Sequence, residues 1–169
     1  MPDSPAGAHP VTQRTRHLAA ASLIAAFAAI GSHVAVPVGA VPVTLQTFAV
    51  FLATLVLPAG WAAASMAVYV ALGIAGLPVF SAGQAGAGVL AGPTGGYLVG
   101  FVVGAGAGAA VRSLAARRVS AVVADVAGVA VTLVIVYVLG VAWLATVTGM
   151  GAAAAIAAGA LPFLPGDAV

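Results

Sequence analysis

Leu77-Pro78-Val79-Phe80-Ser81-Ala82-Gly83-Gln84-Ala85-Gly86-Ala87-Gly88-Val89-Leu90-Ala91-Gly92-Pro93-Thr94-Gly95-Gly96-Tyr97 is a glycine-rich segment carrying one amide side chain, set between two apolar runs long enough to cross a bilayer. Irregular backbone persists at membrane depth only where protein or a water-filled cavity covers it, because N–H and C=O groups facing lipid go unpaired. A segment of this kind points to a held small polar molecule.

The surrounding composition defines the solvent. The chain is 63% hydrophobic and 5% charged, with a mean hydropathy of +1.23, whereas soluble domains are roughly 25% charged. The apolar runs do not alternate with polar residues, which predicts helices rather than barrel strands. The expected architecture is an all-α integral membrane protein: a polar, disordered cytoplasmic tail over 1–17, without a signal-peptide pattern, then one transmembrane helical domain over 18–169. Cysteine is absent, which removes disulfides and thiolate metal sites. Five arginines stand against three aspartates, with no lysine or glutamate, too few charges for a nucleic-acid surface.

Apolar runs at Leu18–Val36, Thr44–Leu57, Trp61–Gly76, Gly95–Val111 and Val122–Val147 predict a bundle of five transmembrane spans, judged against the roughly 17–25 residues a spanning helix needs. Arg14 and Arg16 precede the first run, and Arg112, Arg117 and Arg118 follow the fourth. With the N-terminus in the cytoplasm, both clusters fall on the inner face, as the positive-inside bias requires. The loop at 37–43, the loop at 77–94 and Leu161-Pro162-Phe163-Leu164-Pro165-Gly166-Asp167 then converge on the outer face.

Few polar groups serve that face: Gln46, Gln84, Tyr97 and Asp167. Each also has a plainer reading. Gln46 suits a helix-to-helix hydrogen bond, Tyr97 an interfacial belt, Gln84 a solvated loop and Asp167 a helix N-cap.

Gly86-Ala87-Gly88-Val89-Leu90-Ala91 has dinucleotide-loop spacing but no preceding strand, and without lysine no Walker loop is possible. ATP dependence would require a partner. No histidine pair has metal-ligand spacing. An intramembrane enzyme would have to bring Ser81 and His33 together, so the chain is not read as an enzyme.

Gly92, Gly96, Gly100, Gly104 and Gly108 recur every four residues, a groove for close helix approach that most often serves packing within one chain. Ala21, Ala25 and Ala29 form a similar ladder on the first span, a face for another protein. Asp125 is expected to make an interfacial polar contact.

Pro42-Val43-Thr44-Leu45-Gln46-Thr47, Gly76-Leu77-Pro78-Val79-Phe80, Gly92-Pro93-Thr94-Gly95-Gly96-Tyr97-Leu98-Val99-Gly100-Phe101 and Leu161-Pro162-Phe163-Leu164-Pro165-Gly166-Asp167, in this order, resemble the BioY family. These are the substrate-binding subunits of energy-coupling-factor biotin transporters. The resemblance implies six membrane helices and high-affinity capture of biotin from outside, with no cofactor. It also implies a transmembrane coupling subunit and two cytoplasmic ATPases as partners, with the alanine ladder as docking face, in a prokaryotic cell membrane. By the same resemblance Gln46, Gln84, Tyr97 and Asp167 are site residues. The family lysine three positions after the aspartate would fall one residue beyond Val169, and the sixth helix further on, so the chain is expected to be a truncated fragment.

Biotin offers a cyclic urea, a thioether ring and a carboxylate on an alkyl chain. Asp167 and Gln84 suit the urea, Phe80 and Tyr97 the ring system, and glycine backbone N–H groups, especially at the start of the fourth span, an oxygen anion; Gly83 and Gly86 are counted with the substrate-binding residues. The alternatives are a ligand-free structural membrane subunit or a transporter for another small vitamin-like solute.

Overall fold

The computed structural model describes residues 10–36 and 41–161. They form α1 (Pro10–Gly31), α2 (Gln46–Val56), α3 (Ala59–Ile74), α4 (Gly88–Ala91), α5 (Gly95–Ala115), α6 (Ala121–Thr148) and α7 (Ala152–Gly159). A two-residue antiparallel ribbon pairs β1 (Ala35–Val36) with β2 (Val43–Thr44). Each of the five apolar runs contains a helix. Helix α1 begins at Pro10, inside the segment read as a tail, which corrects that expectation for residues 10–17. Proline opens a helix without penalty because its missing N–H would have no partner in the first turn.

Helices α5 and α6, of 21 and 28 residues, are long and apolar enough to cross a membrane, while α2 and α3 are shorter apolar helices. The break between α2 and α3 has a local cause. Pro58 disfavours helical geometry at the residue before it, and Leu57 and Pro58 are both extended (ψ 149° and 151°).

The α5–α6 pair forms the spine of the bundle. Side chains added at Gly100 and Gly104 would come within 2.9 Å of Val136 Cα and 3.0 Å of Thr132 O, and one at Gly96 would meet Trp143. The glycine ladder therefore serves packing within the chain. It runs from Gly96 to Gly108; Gly92 lies before α5 and instead accepts a hydrogen bond from Trp143 Nε1 (3.0 Å). The answering face of α6 is Ala124, Gly128, Thr132, Val136, Gly140 and Leu144, all buried. At the middle of this seam Thr132 Oγ1 meets Thr54 Oγ1 at 2.9 Å and lies 3.1 Å from Gly104 O, so α2 is tied to the pair by hydroxyls. Near its far end Arg112 Nε donates to Asp125 Oδ1 at 2.6 Å, the contact that Asp125 was expected to make.

The alanine ladder of α1 is a correction. Ala21 and Ala25 are 5% and 4% exposed, Ala29 packs on the same core, and Ser65 Oγ donates to Ala21 O at 2.7 Å. Their small volume brings α1 close to α3, so this face is not free for another protein. The outward face of α1 presents Ser22, Leu23, Ala26 and Ile30 instead.

Candidate functional site

Where α1 and α3 end and α5 begins, the ribbon and the glycine-rich segment close over the bundle. Ala82 N donates to Ser32 O at 3.2 Å, and Gly86 N donates to Gly73 O at 2.7 Å, fastening the segment to the ends of α1 and α3. Tight geometry is concentrated here: Ala82, Gly83 and Gly86 have φ of 55°, 77° and 92°.

Beneath this cover lies a narrow chamber of about 40 Å³, whose lining includes Gln46, Phe80, Ser81, Thr94, Tyr97 and Phe101. A wider vestibule of about 570 Å³ adjoins it, lined by Gln84, Ala85, Gly88 and Val89 among others. Pro42, Ser81 and Thr94 line both spaces and mark their junction.

The chamber wall is held by a directed hydrogen-bond chain. Thr44 Oγ1 donates to Gln46 Oε1 (2.8 Å), Gln46 Nε2 donates to Tyr69 Oη, and Tyr69 Oη donates to Val79 O (2.9 Å). Gln46 thus makes the helix-to-helix bond of its plainer reading and also lines the chamber. An amide has two N–H groups and two acceptor lone pairs, so half its capacity is still available.

Phe80 is 1% exposed, edge-on to Tyr69 with ring centroids 5.9 Å apart, and its ring fills the space over Gly73. Tyr97 is buried rather than in an interfacial belt: its ring covers Gly140, and its hydroxyl donates to Gly159 O at 2.7 Å, drawing in the end of α7. Both aromatic walls rest on a glycine of a neighbouring helix.

Ser81 Oγ is the buried side-chain polar atom among the described residues that has no hydrogen-bond partner. Leaving such a group unpaired costs about 1–3 kcal/mol, and here it lies at the junction of chamber and vestibule. Among the described residues no base engages this hydroxyl. His33 is exposed at the end of α1, with Nδ1 3.0 Å from Ala29 O.

The site residues read from sequence thus divide. Gln46, Phe80 and Tyr97 line the chamber, Gln84 is exposed and lines the vestibule, and Asp167 lies outside the described residues. Gly83 and Gly86 line neither space, a correction with a clear cause. Their N–H groups are already donated, to Phe80 O (2.9 Å) and Gly73 O, so the two glycines shape the loop and cannot cradle an anion. Sequence reasoning missed Tyr69 and Thr94, and weighed Ser81 only as a nucleophile. No local signal in the sequence marks these three, because each owes its place to a tertiary contact.

The arrangement is that of a helical membrane protein with a neutral, aromatic-walled chamber closed under a glycine-rich cover. The chain is a member of the BioY family, whose model matches residues 5–169. Among its relatives, the biotin transporter BioY of Thermotoga maritima is 48% identical over 90 residues, covering 53% of each chain. The biotin transporter BioY2 of Lactococcus lactis is 38% identical, covering 85% of this chain and 77% of that one. The probable biotin transporter BioY of Pyrococcus horikoshii is 33% identical, covering 92% and 90%. The alignment thus spans about half the length of the Thermotoga relative and most of the other two. The fold matches that of the S-component for biotin from an ECF-type ABC transporter, with a TM-score of 0.84 at 24% identity, covering 95% of this chain and 87% of that one.

Proposed function

We propose that this chain captures biotin from the outer face of a prokaryotic cell membrane and passes it inward as the substrate-binding subunit of an energy-coupling-factor module. The observation that carries the reading is the buried Ser81 hydroxyl, without a partner among the described residues, at the mouth of a chamber walled by Phe80 and Tyr97. A neutral cyclic urea supplies both donors and an acceptor to this hydroxyl and to the remaining valences of Gln46. The chamber alone, at about 40 Å³, is far below the roughly 300–1,000 Å³ of drug-sized sites, so the bulk of the solute occupies the vestibule.

No cation lines either space among the described residues, and burying a carboxylate without one is costly. The carboxylate end therefore faces the wider vestibule, near Gln84, with the urea at the junction. Asp167 accepts from the urea N–H groups in this arrangement.

The chamber end faces outward, and both arginine clusters and the N-terminus face the cytoplasm, in keeping with the positive-inside bias. Five crossings within this chain accord with that orientation. A transmembrane coupling subunit and two ATPases supply the energy, since this chain has no lysine for a Walker loop.

Equilibrium binding of labelled biotin to the purified chain tests the proposal. Saturable binding, displaced by unlabelled biotin and not by unrelated vitamins, is the expected result. Absence of saturation into the micromolar range overturns it.

A further inference from the structure

The end of α5 away from the chamber carries a second feature that the solute site does not use. Val111, Leu114, Ala115, Arg117 and Arg118 line an open groove of about 480 Å³. Helix α5 has 21 residues, which at 1.5 Å per residue is about 30 Å, the thickness of a bilayer's hydrocarbon core. In the orientation proposed above, with the start of α5 at the outer interface, Arg117 and Arg118 follow the end of α5 and stand at head-group level in the opposite leaflet.

The charges there are unbalanced. Asp125 is the acidic side chain among the described residues, and Arg112 already holds it at 2.6 Å. Arg117 and Arg118 are exposed and meet no carboxylate among those residues. Beside them the wall is aliphatic, with Leu114 61% exposed.

We propose that this groove is a docking site for one anionic phospholipid. Its phosphate engages the two guanidinium groups, and one acyl chain lies along Val111, Leu114 and Ala115. Guanidinium forks match phosphate oxygens in paired hydrogen bonds, and basic pockets at the edge of a membrane domain are a recurrent head-group site. A zwitterionic lipid carries the same phosphate together with its own ammonium group, which competes with the arginines. The preference is therefore for a lipid of the phosphatidylglycerol type.

The test uses the full chain in nanodiscs of phosphatidylcholine, with and without phosphatidylglycerol, read by thermal unfolding and by native mass spectrometry of retained lipid. Phosphatidylglycerol is expected to raise the unfolding temperature and to leave one lipid bound. The paired substitutions Arg117→Gln and Arg118→Gln remove most of that rise and the retained lipid, while Arg14→Gln with Arg16→Gln, an equal change of charge on α1, leave both. Equal losses in the two double variants reduce the effect to general surface charge and overturn the proposal. A rise reproduced by inorganic phosphate in pure phosphatidylcholine also overturns it, by assigning a free-anion site. Biotin binding by each variant reports that it is folded.

Discussion

The ring of Phe80 lies in the space that a side chain at Gly73 would fill, so a residue of the loop and a residue of α3 share one volume. Gly73→Ala should expel the ring, destabilising the chain by about 1–3 kcal/mol through overpacking and weakening biotin binding. In the double variant with Phe80→Ala the clash disappears, so its stability change should fall short of the sum of the two single changes. Thermal unfolding of the four proteins of this cycle measures the coupling, and strict additivity would show that the ring is not seated on residue 73.

Ser81→Ala should move stability and affinity in opposite directions. The ligand-free chain loses an unsatisfied buried hydroxyl and becomes no less stable, whereas biotin loses a hydrogen bond of about 0.5–1.5 kcal/mol. Paired unfolding and binding curves check this. A variant that is less stable but binds biotin unchanged would assign Ser81 a packing role alone.

Asp167→Asn tests the one carboxylate proposed to touch the urea. A charge-assisted hydrogen bond contributes about 1.5–3 kcal/mol, so affinity should fall roughly tenfold or more while unfolding temperature is nearly constant. Unchanged affinity removes Asp167 from the site.

Gly100→Val and Gly60→Ala separate glycines that pack from glycines that do not. A side chain at Gly100 would strike the backbone of Val136, while nothing lies within 4 Å of one at Gly60. The first substitution should prevent stable pairing of α5 with α6. The second should be neutral or stabilise by up to about 1 kcal/mol, the helix propensity difference between alanine and glycine. Detergent-resistant folding and unfolding temperature distinguish them.

Much of this was legible in the sequence because its signals are periodic. The five apolar runs located α1, α2, α3, α5 and α6, and the four-residue glycine spacing identified the close face of α5. The start of α1 was missed because polar residues around Arg14 and Arg16 read as a tail, although nothing in them opposes a helix. The alanine ladder was assigned to a partner because small-residue spacing reports close approach without saying which helix approaches. The glycine-rich segment was recognised as the place where a small polar molecule is held, but the work of each residue in it was not legible. Whether Gly86 N–H is offered to a solute or donated to Gly73 O depends on tertiary distance, which local sequence does not encode. The Gln46–Tyr69 bond and the isolation of Ser81 Oγ have the same character.

The fastening of residues 81–86 to Ser32 O and Gly73 O also has a kinetic meaning. If release of a solute requires this rim to lift, at least one of these two backbone bonds must open, and each is anchored on a different helix. Improvements in affinity gained by stiffening this rim would then show in dissociation rate, with residence time lengthening while the rate of capture stays nearly constant.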